Sequence, residues 1–274
     1  MKLEKIDKSE YGKYSDLKCS PSATYPMSII EDMQKGDIYE SDGAVLLWHY
    51  CGFAYIAGNV SEDSGNVSEE FLDAVYTDFI MADLSRRFVL ITDDKFIIDY
   101  LSAKPGIETE KRYEFEHDMK SGSEIAREAE ERNPDIKLVP VTEDNIDNIK
   151  GRIIPAFSWD SNAAFLEKGL GYVAVDDSRD AVDGSRDAVD GSRIAAVAFS
   201  SAVSSEEIDI GVETNPDYRN RGLAAGVAGK MCEAVLALGK KPIWSCSSFN
   251  LASSKTAEKV GFERVREKTV IRKK

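Results

Sequence analysis

The sequence predicts an α+β protein in two lobes, each a mixed β-sheet flanked by helices. Its 274 residues are enough for two domains, and a hydrophobic content of 42% is enough for packed cores. Short apolar runs typical of strands alternate with helix-like segments through both halves. A charged stretch with an Asn-Pro step, residues 130–135, lies between the halves. We therefore predict domains at 1–132 and 133–274.

The first half contains strand-like and helix-like segments in the order ββαβαβ, after an opening helix. The clearest of them is a helix that begins after Ser68, a favourable N-cap with acidic residues in the first turn. Apolar residues 71, 72, 75, 79 and 80 give this helix one buried stripe. The other predicted elements are helices at Ser28–Lys35 and Asp93–Leu101 and strands at Ala44–Trp48, Phe53–Ala57, Arg87–Thr92 and Arg112–Glu116.

The second half contains more strand–helix units and one tandem repeat. Ser178–Gly184 recurs identically as Ser185–Gly191 between two predicted strands, which indicates a duplicated hairpin tip. The spacing of its aspartates fits no EF-hand calcium loop. The predicted helices are Glu143–Lys150, Ser161–Glu167 and Leu223–Leu238, and the predicted strands are Gly171–Val175, Arg193–Ser201, Glu207–Val212 and Pro242–Cys246.

The segment Asn215–Ala224 joins a predicted strand to a predicted helix and is the strongest functional signal. Amides at a helix start have no partner within the helix and lie at the positive end of its dipole. Gly222 allows a ligand close to the backbone, and Arg219 and Arg221 can add charge-assisted hydrogen bonds. The segment predicts a phosphate or pyrophosphate site. The alternative is an arginine-rich helix start that binds water alone.

This segment is neither a nucleotide-triphosphate loop nor a dinucleotide fingerprint. Its spacing, Arg219-x-x-Gly222-x-Ala224, resembles the acyl-CoA loop of the GNAT acyltransferase superfamily, Gln/Arg-x-x-Gly-x-Gly/Ala. The resemblance covers about the last half of the chain. Within the family, a two-lobed chain of this kind is similar to the antibiotic-resistance-type acetyltransferases. Further matching segments are Leu138–Asn145 (the opening strand and helix start), Val212–Arg219 (the end of the fourth strand), Pro242–Cys246 (the fifth strand) and Asn250–Phe262 (the next helix and its Gly-Phe exit).

The first half looks like a degenerate copy of the same GNAT-like fold, because its elements repeat the order of the second half. The loop in the corresponding place, Gly58–Asn66, is acidic and has no arginine. Carboxylates repel a pyrophosphate, so we predict no coenzyme there. The first half then either walls the acceptor site or serves as a scaffold for the second half.

The resemblance implies acetyl-CoA as cosubstrate, with its pantetheine arm between splayed fourth and fifth strands. The Val212 N–H then faces the thioester carbonyl, and the backbone of Thr214 pairs with the pantetheine amides. Asn250 resembles the cofactor-contacting Asn of the family, although a plain N-cap role fits equally well. The predicted cofactor-binding residues are Val212, Thr214, Arg219, Asn220, Arg221, Gly222, Leu223, Ala224, Ala225, Asn250 and Ser253.

The catalytic residues predicted beside the thioester are Val212, through its backbone, and Glu213 as general base. Glu206, Glu207 and Asp209 are the other acids on or beside this strand, and proximity alone can replace a dedicated base. Many family members place a Tyr proton donor where this chain has Ala257. Ser247, Ser253, Ser254, Tyr218 or water are the alternative donors. Cys246 has no histidine predicted nearby to activate it, which argues against covalent catalysis.

The composition narrows the partners. A net charge of −14 argues against nucleic acid and anionic membranes as partners and is compatible with an amine-bearing substrate. Four cysteines without CxxC spacing and two histidines predict no metal site. The sequence shows no apolar signal core at its start and no run of about 20 apolar residues. We expect a cytoplasmic protein with reduced thiols.

Together these features predict an acetyl-CoA-dependent N-acetyltransferase that acts on the amine of a small molecule by direct attack in a ternary complex. Two alternatives belong to other classes. One is a non-catalytic module that binds or senses acyl-CoA, and the other is a two-lobed scaffold with an arginine loop at its surface.

Overall fold

A computed structural model describes residues 2–17, 24–58, 67–117, 123–177 and 193–274. Within these residues, one mixed sheet has helices on both faces. The strands are β1 (Glu4–Lys5), β2 (Gly36–Ser41), β3 (Ala44–His49), β4 (Phe53–Ala57), β5 (Val89–Thr92), β6 (Ile107–His117), β7 (Ile136–Pro140), β8 (Gly171–Asp176), β9 (Arg193–Val203), β10 (Glu207–Thr214), β11 (Lys241–Ser247) and β12 (Phe262–Lys273). The α-helices are α1 (Thr24–Ile30), α2 (Glu69–Val75), α3 (Lys95–Ser102), α4 (Ser123–Arg132), α5 (Asn162–Lys168), α6 (Leu223–Ala237) and α7 (Leu251–Val260).

Shorter helical turns complete the chain between these elements. A single π-turn extends α2 over Tyr76–Ile80. The 3₁₀ turns lie at Lys8–Tyr14, Ile146–Asn148, Pro155–Phe157 and Pro216–Tyr218.

The two halves exchange their last strands. The strand order is β1-β2-β3-β4-β5-β12-β6-β11-β10-β9-β8-β7. Strand β6 of the first half pairs with β11, β12 of the second half pairs with β5, and β6 and β12 pair with each other at the centre. From opposite edges, β2-β3-β4-β5-β12 and β8-β9-β10-β11-β6 have the same order, with one parallel pair in each. The predicted two-lobed α+β architecture is confirmed, and the division at residue 132 stays a prediction.

Several local predictions need correction. The helix predicted at Glu143–Lys150 is wrong, since this segment has only the 3₁₀ turn at Ile146–Asn148. Directly after that turn Ile149 has an extended backbone (φ −73°, ψ 118°), so the helix does not continue. The Asn145 side chain instead fixes the entry to the turn, because it accepts from the Thr142 N–H (3.0 Å) and donates to the Pro140 carbonyl (2.9 Å). The helix predicted at Ser28–Lys35 instead spans Thr24–Ile30, and Asp32, with φ of 53°, turns the chain away.

The charged stretch predicted as a boundary carries a helix as well. Helix α4 spans Ser123–Arg132 and buries Ala126 and Ala129. Its exposed face carries ion pairs one turn apart, Arg127 with Glu131 at 2.7 Å and Arg132 with Glu128 at 2.9 Å. The sequence analysis also missed β2, which pairs with β3 along its whole length.

Near the centre of the sheet, different helices pack on its two faces. On one face, which we call the α6 face, Ile208, Ile210 and Trp244 pack with residues of α6 and α7. On the other, which we call the α1 face, Tyr25 of α1 packs against Phe53, Tyr55, Ala202 and Val270, which come from both halves.

The α1 face also buries charge. Glu114 of β6 and Lys268 of β12 form an ion pair and are 4% and 3% exposed. The Tyr25 hydroxyl lies 2.8 Å from the Ser201 hydroxyl and donates to Asp209 at 3.4 Å. Burial raises the pKa of Asp209 to about 7, although the positive charges of Arg112 and Lys268 oppose the rise. The folded protein therefore holds a proton on Asp209 that the unfolded chain releases near pH 4.

We predict that Asp209→Asn reduces the loss of stability between pH 5 and pH 8. In this range the folded state binds one proton more tightly than the unfolded state, so the free energy of unfolding falls as the pH rises toward 7. The Asp209 contribution to that fall is about 2–3 kcal/mol, and the neutral amide removes it. Urea unfolding at both pH values for both proteins measures the difference. An unchanged pH dependence in the variant would contradict the assigned proton.

Candidate functional site

A groove opens where β10 separates from β11. The two strands pair in parallel over Glu207–Asp209 and Lys241–Ile243. Beyond Asp209 the strand β10 continues to Thr214 and keeps its pairing with β9, while β11 continues to Ser247 and keeps its pairing with β6. The facing edges of both strands are therefore open to a ligand.

The backbone of β10 directs the groups that the sequence analysis selected into this groove. The N–H of Asn215 donates to the Ala195 carbonyl of β9 at 2.9 Å. Backbone N–H groups alternate sides along a strand, so those of Val212 and Thr214 are directed away from β9 and toward β11. These two residues have the orientation that the predicted backbone contacts require.

Helix α6 begins at the mouth of the groove. Its N-cap is Gly222, which has a left-handed backbone conformation (φ of 81°). A Cβ at this position would meet no atom within 4 Å. The first hydrogen bond of the helix runs from the Gly226 N–H to the Gly222 carbonyl at 3.1 Å. The amides of Leu223, Ala224 and Ala225 precede that bond and line the groove, where the helix dipole favours an anion.

The groove and helix start form one cleft of about 1170 Å³, which we call the main cleft. The structure brings every predicted site residue to its wall. Those residues are Val212, Glu213, Thr214, Arg219, Asn220, Arg221, Gly222, Leu223, Ala224, Ala225, Asn250 and Ser253.

Asn133 fixes the arginine loop and was missed by the sequence analysis. Its side chain accepts from the Arg221 Nε at 2.9 Å and donates to the Arg221 carbonyl at 3.1 Å and the Ala129 carbonyl at 2.7 Å. Asn133 is 4% exposed and follows directly after α4. The segment predicted as a domain boundary thus holds Arg221 in place across the cleft. No local pattern distinguishes such a residue from a linker Asn.

Glu213 is half-buried and already holds a hydrogen bond. Its carboxylate accepts from the Ile153 N–H at 3.1 Å. Gly151 makes this approach possible, because it has φ of 140° and a Cβ there would lie 2.8 Å from the Glu213 Cγ. Glu213 therefore both faces the cleft and anchors the loop that carries Arg152 and Ile153 on the opposite wall.

The start of α7 forms a third wall. The Asn250 side chain accepts from the Ser253 N–H at 3.1 Å, so Asn250 is an N-cap that also lines the cleft. The Ser253 hydroxyl accepts from the Trp244 Nε1 at 3.0 Å, and its hydrogen has no acceptor among the described residues. Ala257, one turn further on, is fully buried.

Among the alternative proton donors, Tyr218 is committed elsewhere, because its hydroxyl donates to Asp176 at 2.6 Å. The thiol of Cys246 is buried and lies 3.4 Å from the Ser254 hydroxyl. Ser247 accepts from the Phe249 N–H at 3.2 Å.

Further cleft residues were also missed. Lys255, Thr256 and Lys259 lie on one side of α7 at helical spacing, a pattern that the sequence could have supplied once α7 was placed. Arg132 and Arg152 reach the cleft through the tertiary fold alone, and Ala252 was missed as well. Ile153, Tyr218 and Trp244 also line the cleft.

Two of the predicted segments lie wholly or partly outside the described residues. Residues 59–66 of the acidic loop and the repeat at 178–191 are outside the described ranges. Within those ranges, no cluster of three or more His, Cys, Asp or Glu residues is arranged to hold a metal. In the same part of the chain, no helix has both the length and the apolar character needed to cross a bilayer.

A mixed sheet with one splayed parallel pair and an open helix start beside it is the framework of an acyltransferase of the GNAT class. The family model described as GNAT acetyltransferase matches residues 17–271. The chain therefore belongs to the GNAT acetyltransferase family, and its activity is that of an acetyltransferase.

Individual relatives agree with this assignment. The chain is 23% identical over 280 residues to an uncharacterized N-acetyltransferase, YdfB, of Bacillus subtilis (strain 168), with 98% of this chain and 97% of that protein covered. Among solved structures, a GCN5-related N-acetyltransferase-like protein from Streptococcus suis 89/1591 matches with a TM-score of 0.69 and 19% identity over 98% of this chain and 100% of that one. A tandem GNAT protein from the clavulanic acid biosynthesis pathway matches with a TM-score of 0.56 and 10% identity, over 98% and 97% of the two chains. These distant structural matches establish the shared fold.

We predict that Asn133→Ala loosens the arginine loop and lowers the free energy of unfolding by about 1–3 kcal/mol, because it removes the hydrogen bonds to Arg221 and leaves the carbonyl of the buried Ala129 without the Asn133 amide. Thermal and urea unfolding measure the stability. Asn145→Ala, which also removes side-chain bonds to backbone but lies at an exposed turn, is the matched control and should cost less. Equal losses in the two variants would contradict the special role of Asn133.

Proposed function

We propose that this protein transfers the acetyl group of acetyl-CoA to the amine of a small molecule by direct attack in a ternary complex. The observation that carries the proposal is the open edge of β10 at Val212 and Thr214 beside the unpaired amides of Leu223–Ala225. An edge of this kind takes the amide-bearing pantetheine arm as an added strand. The helix start takes the diphosphate at the other end of the same ligand.

The charges along the cleft support an anionic coenzyme. Arg219 and Arg221 lie at the helix start, and Arg132, Lys255 and Lys259 line the same cleft. In a chain of net charge −14, this concentration of cations marks the place for a polyanion. The neutral amide of Asn133 holds Arg221 by its Nε and leaves its terminal nitrogens for phosphate oxygens.

The reaction itself needs three groups near the thioester. The amine nitrogen attacks the carbonyl carbon, a C–N bond forms, and the C–S bond breaks. The Val212 N–H stabilises the carbonyl oxygen as it gains charge. Glu213 takes the proton that the attacking nitrogen loses. The Ser253 hydroxyl donates a hydrogen bond to the leaving thiolate, and the thiolate takes its proton from solvent. Ser253 assumes here the part that a tyrosine at position 257 plays in many relatives.

A non-catalytic acyl-CoA-binding module is the second candidate. Two observations favour it: Ala257 is buried and cannot donate a proton, and the Glu213 carboxylate is occupied by the Ile153 N–H. Release of free thiol from acetyl-CoA across a panel of amines separates the two functions, because a sensor binds the coenzyme and releases none.

The remaining expectations concern the setting of the reaction. We propose a cytoplasmic site of action, a small-molecule amine as the partner, and no nucleic acid or membrane partner. The acidic composition is compatible with an amine partner and argues against nucleic acid and anionic membranes. The cytoplasmic proposal rests on cysteines without paired spacing.

We predict that the double change Arg219→Glu and Arg221→Glu weakens acetyl-CoA binding by about 100-fold or more, since it replaces two charge-assisted contacts by repulsion. Acetyl-CoA at 100 times its dissociation constant should stabilise the wild-type protein by about 2.7 kcal/mol, and the variant should lose this gain at the same concentration. Arg264→Glu changes an exposed arginine outside the cleft and is the control. Wild-type binding by the double variant would contradict the proposed cradle.

We predict that Glu213→Gln lowers kcat at pH 7 by about 100-fold or more, because an amide cannot take the proton of the amine. The amide oxygen still accepts from Ile153, so the coenzyme dissociation constant stays close to the wild-type value. Glu213→Ala removes both functions and provides the comparison. If the Gln variant keeps wild-type kcat while the Ala variant loses it, Glu213 holds the loop and is not the base.

A further inference from the structure

Two arginines of the first half meet on the α1 face without a carboxylate partner. Arg87 Nη2 donates to the Cys51 carbonyl at 3.1 Å, and Arg112 Nη2 donates to the Ser245 carbonyl at 3.0 Å. Within the described residues, neither guanidinium has a carboxylate oxygen within 4.0 Å. Arg86, by contrast, pairs with Asp37 at 2.7 Å. Each unpaired guanidinium keeps most of its five N–H donors for a ligand.

Aromatic rings hold the two cations side by side. The carbon at the centre of each guanidinium lies 5.2 Å from the centroid of the Phe53 ring. The Phe157 ring, from the second half, lies 6.0 Å from Phe53 and 5.6 Å from Arg87. Phe53 is buried, Arg112 and Phe157 are half-buried, and Arg87 is exposed. The pair is therefore positioned by cation–π contacts and reachable from solvent.

Strand alternation places Arg112 on the same face of the sheet as Glu213. Glu213 is four residues after Asp209 on β10, and Ser247 is four residues after Ile243, the partner of Asp209, on β11. Ser247 in turn pairs with Arg112. Because side chains two residues apart share a face, the side chains of Glu213, Ser247 and Arg112 all belong to the α1 face.

The segment 151–157 connects the two places directly. Its Ile153 N–H bonds the Glu213 carboxylate, and its Phe157 packs on Phe53 beside Arg87. This one segment thus contacts both the proposed base and the aromatic ring beside the arginine pair.

Nearby acids do not neutralise the pair. Glu114 is engaged with Lys268 and, at 3.5 Å, with Arg266. Asp209 is buried, hydrogen-bonded by Tyr25 and protonated up to about pH 7. The positive charge of Arg87 and Arg112 is left for a bound anion.

We propose that the acceptor is an amine that also carries a carboxylate. Its carboxylate binds Arg87 and Arg112, its hydrocarbon part lies on Phe53 and Phe157, and its amine is directed toward Glu213. This inference rests on the acetyl transfer proposed above. It also gives the first half a function, since three of these five residues, Phe53, Arg87 and Arg112, belong to that half.

The test uses matched amines with the full-length protein and acetyl-CoA. Amino acids and β-alanine are compared with their methyl esters and amides, and phosphoethanolamine tests phosphate in place of carboxylate. Thiol release and mass spectrometry of the acetylated product give kcat and KM for each. We expect free carboxylates to have a KM about 10- to 100-fold lower than their esters.

Variants show whether the two arginines cause the preference. Arg87→Gln and Arg112→Gln should each raise KM for the carboxylate-bearing amine about 10- to 100-fold, with kcat and acetyl-CoA binding unchanged. KM for the ester should not change. Arg112→Lys should restore part of the loss, and Arg264→Gln should behave as wild type. A purely structural role would lower the melting temperature without a selective change in KM.

Other outcomes overturn the inference in distinguishable ways. Equal turnover of carboxylates and esters, or preference for phosphoethanolamine, overturns the carboxylate site while acetyl transfer stands. Coenzyme binding with no acetylation of any carboxylate-bearing amine also overturns it and leaves the coenzyme site standing. Absence of acetyl-CoA binding by the wild-type protein overturns the proposed function itself.

Discussion

The separation of β10 from β11 is the constraint on which the rest of the site depends. Backbone groups in a sheet need partners, and β10 gives up those partners from Ile210 onward on the β11 side. A groove with open strand edges favours a ligand that brings its own amides. The neighbouring elements serve this opening: α6 presents its free amides at one end, and the loop anchored by Glu213 forms the opposite wall.

Positive charge is unevenly distributed over the molecule. The surface is acidic overall, and many of its cations have carboxylate partners, as Arg86, Arg127 and Arg272 do. Among the described residues, the cations with no carboxylate within 4.0 Å include Arg219, Lys255 and Lys259 at the main cleft and Arg87 and Arg112 on the α1 face at Phe53. The two groups of cations suit different ligands. A long polyanion fits the first, and a small anion between aromatic rings fits the second.

Short-range signals in the sequence predicted part of the fold and part of the candidate site. Gly222, the arginines around it and the alternation of strands and helices are short-range signals, and they pointed to residues that line the main cleft. Asn133 and Arg152 were missed because contacts between residues about 60 to 90 positions apart bring their segments to the cleft, Asn133 with Arg221 and the neighbouring Ile153 with Glu213. The helix predicted at 143–150 failed because the backbone becomes extended at Ile149 after a single 3₁₀ turn. Strand exchange leaves no local trace, since β6 and β12 look like ordinary terminal strands.

The exchange of strands between the halves affects the order in which the strands can pair during synthesis on the ribosome. Strand β5 stays an uncovered edge until β12 has emerged, and β12 begins 170 residues after β5 ends. Strand β6 likewise waits for β11 before its far side is covered. The N-terminal part is thus a nascent sheet with an exposed apolar edge throughout most of synthesis, the situation in which chaperones guard against mispairing. The single sheet is complete only when β12 pairs with both of its neighbours, β5 and β6.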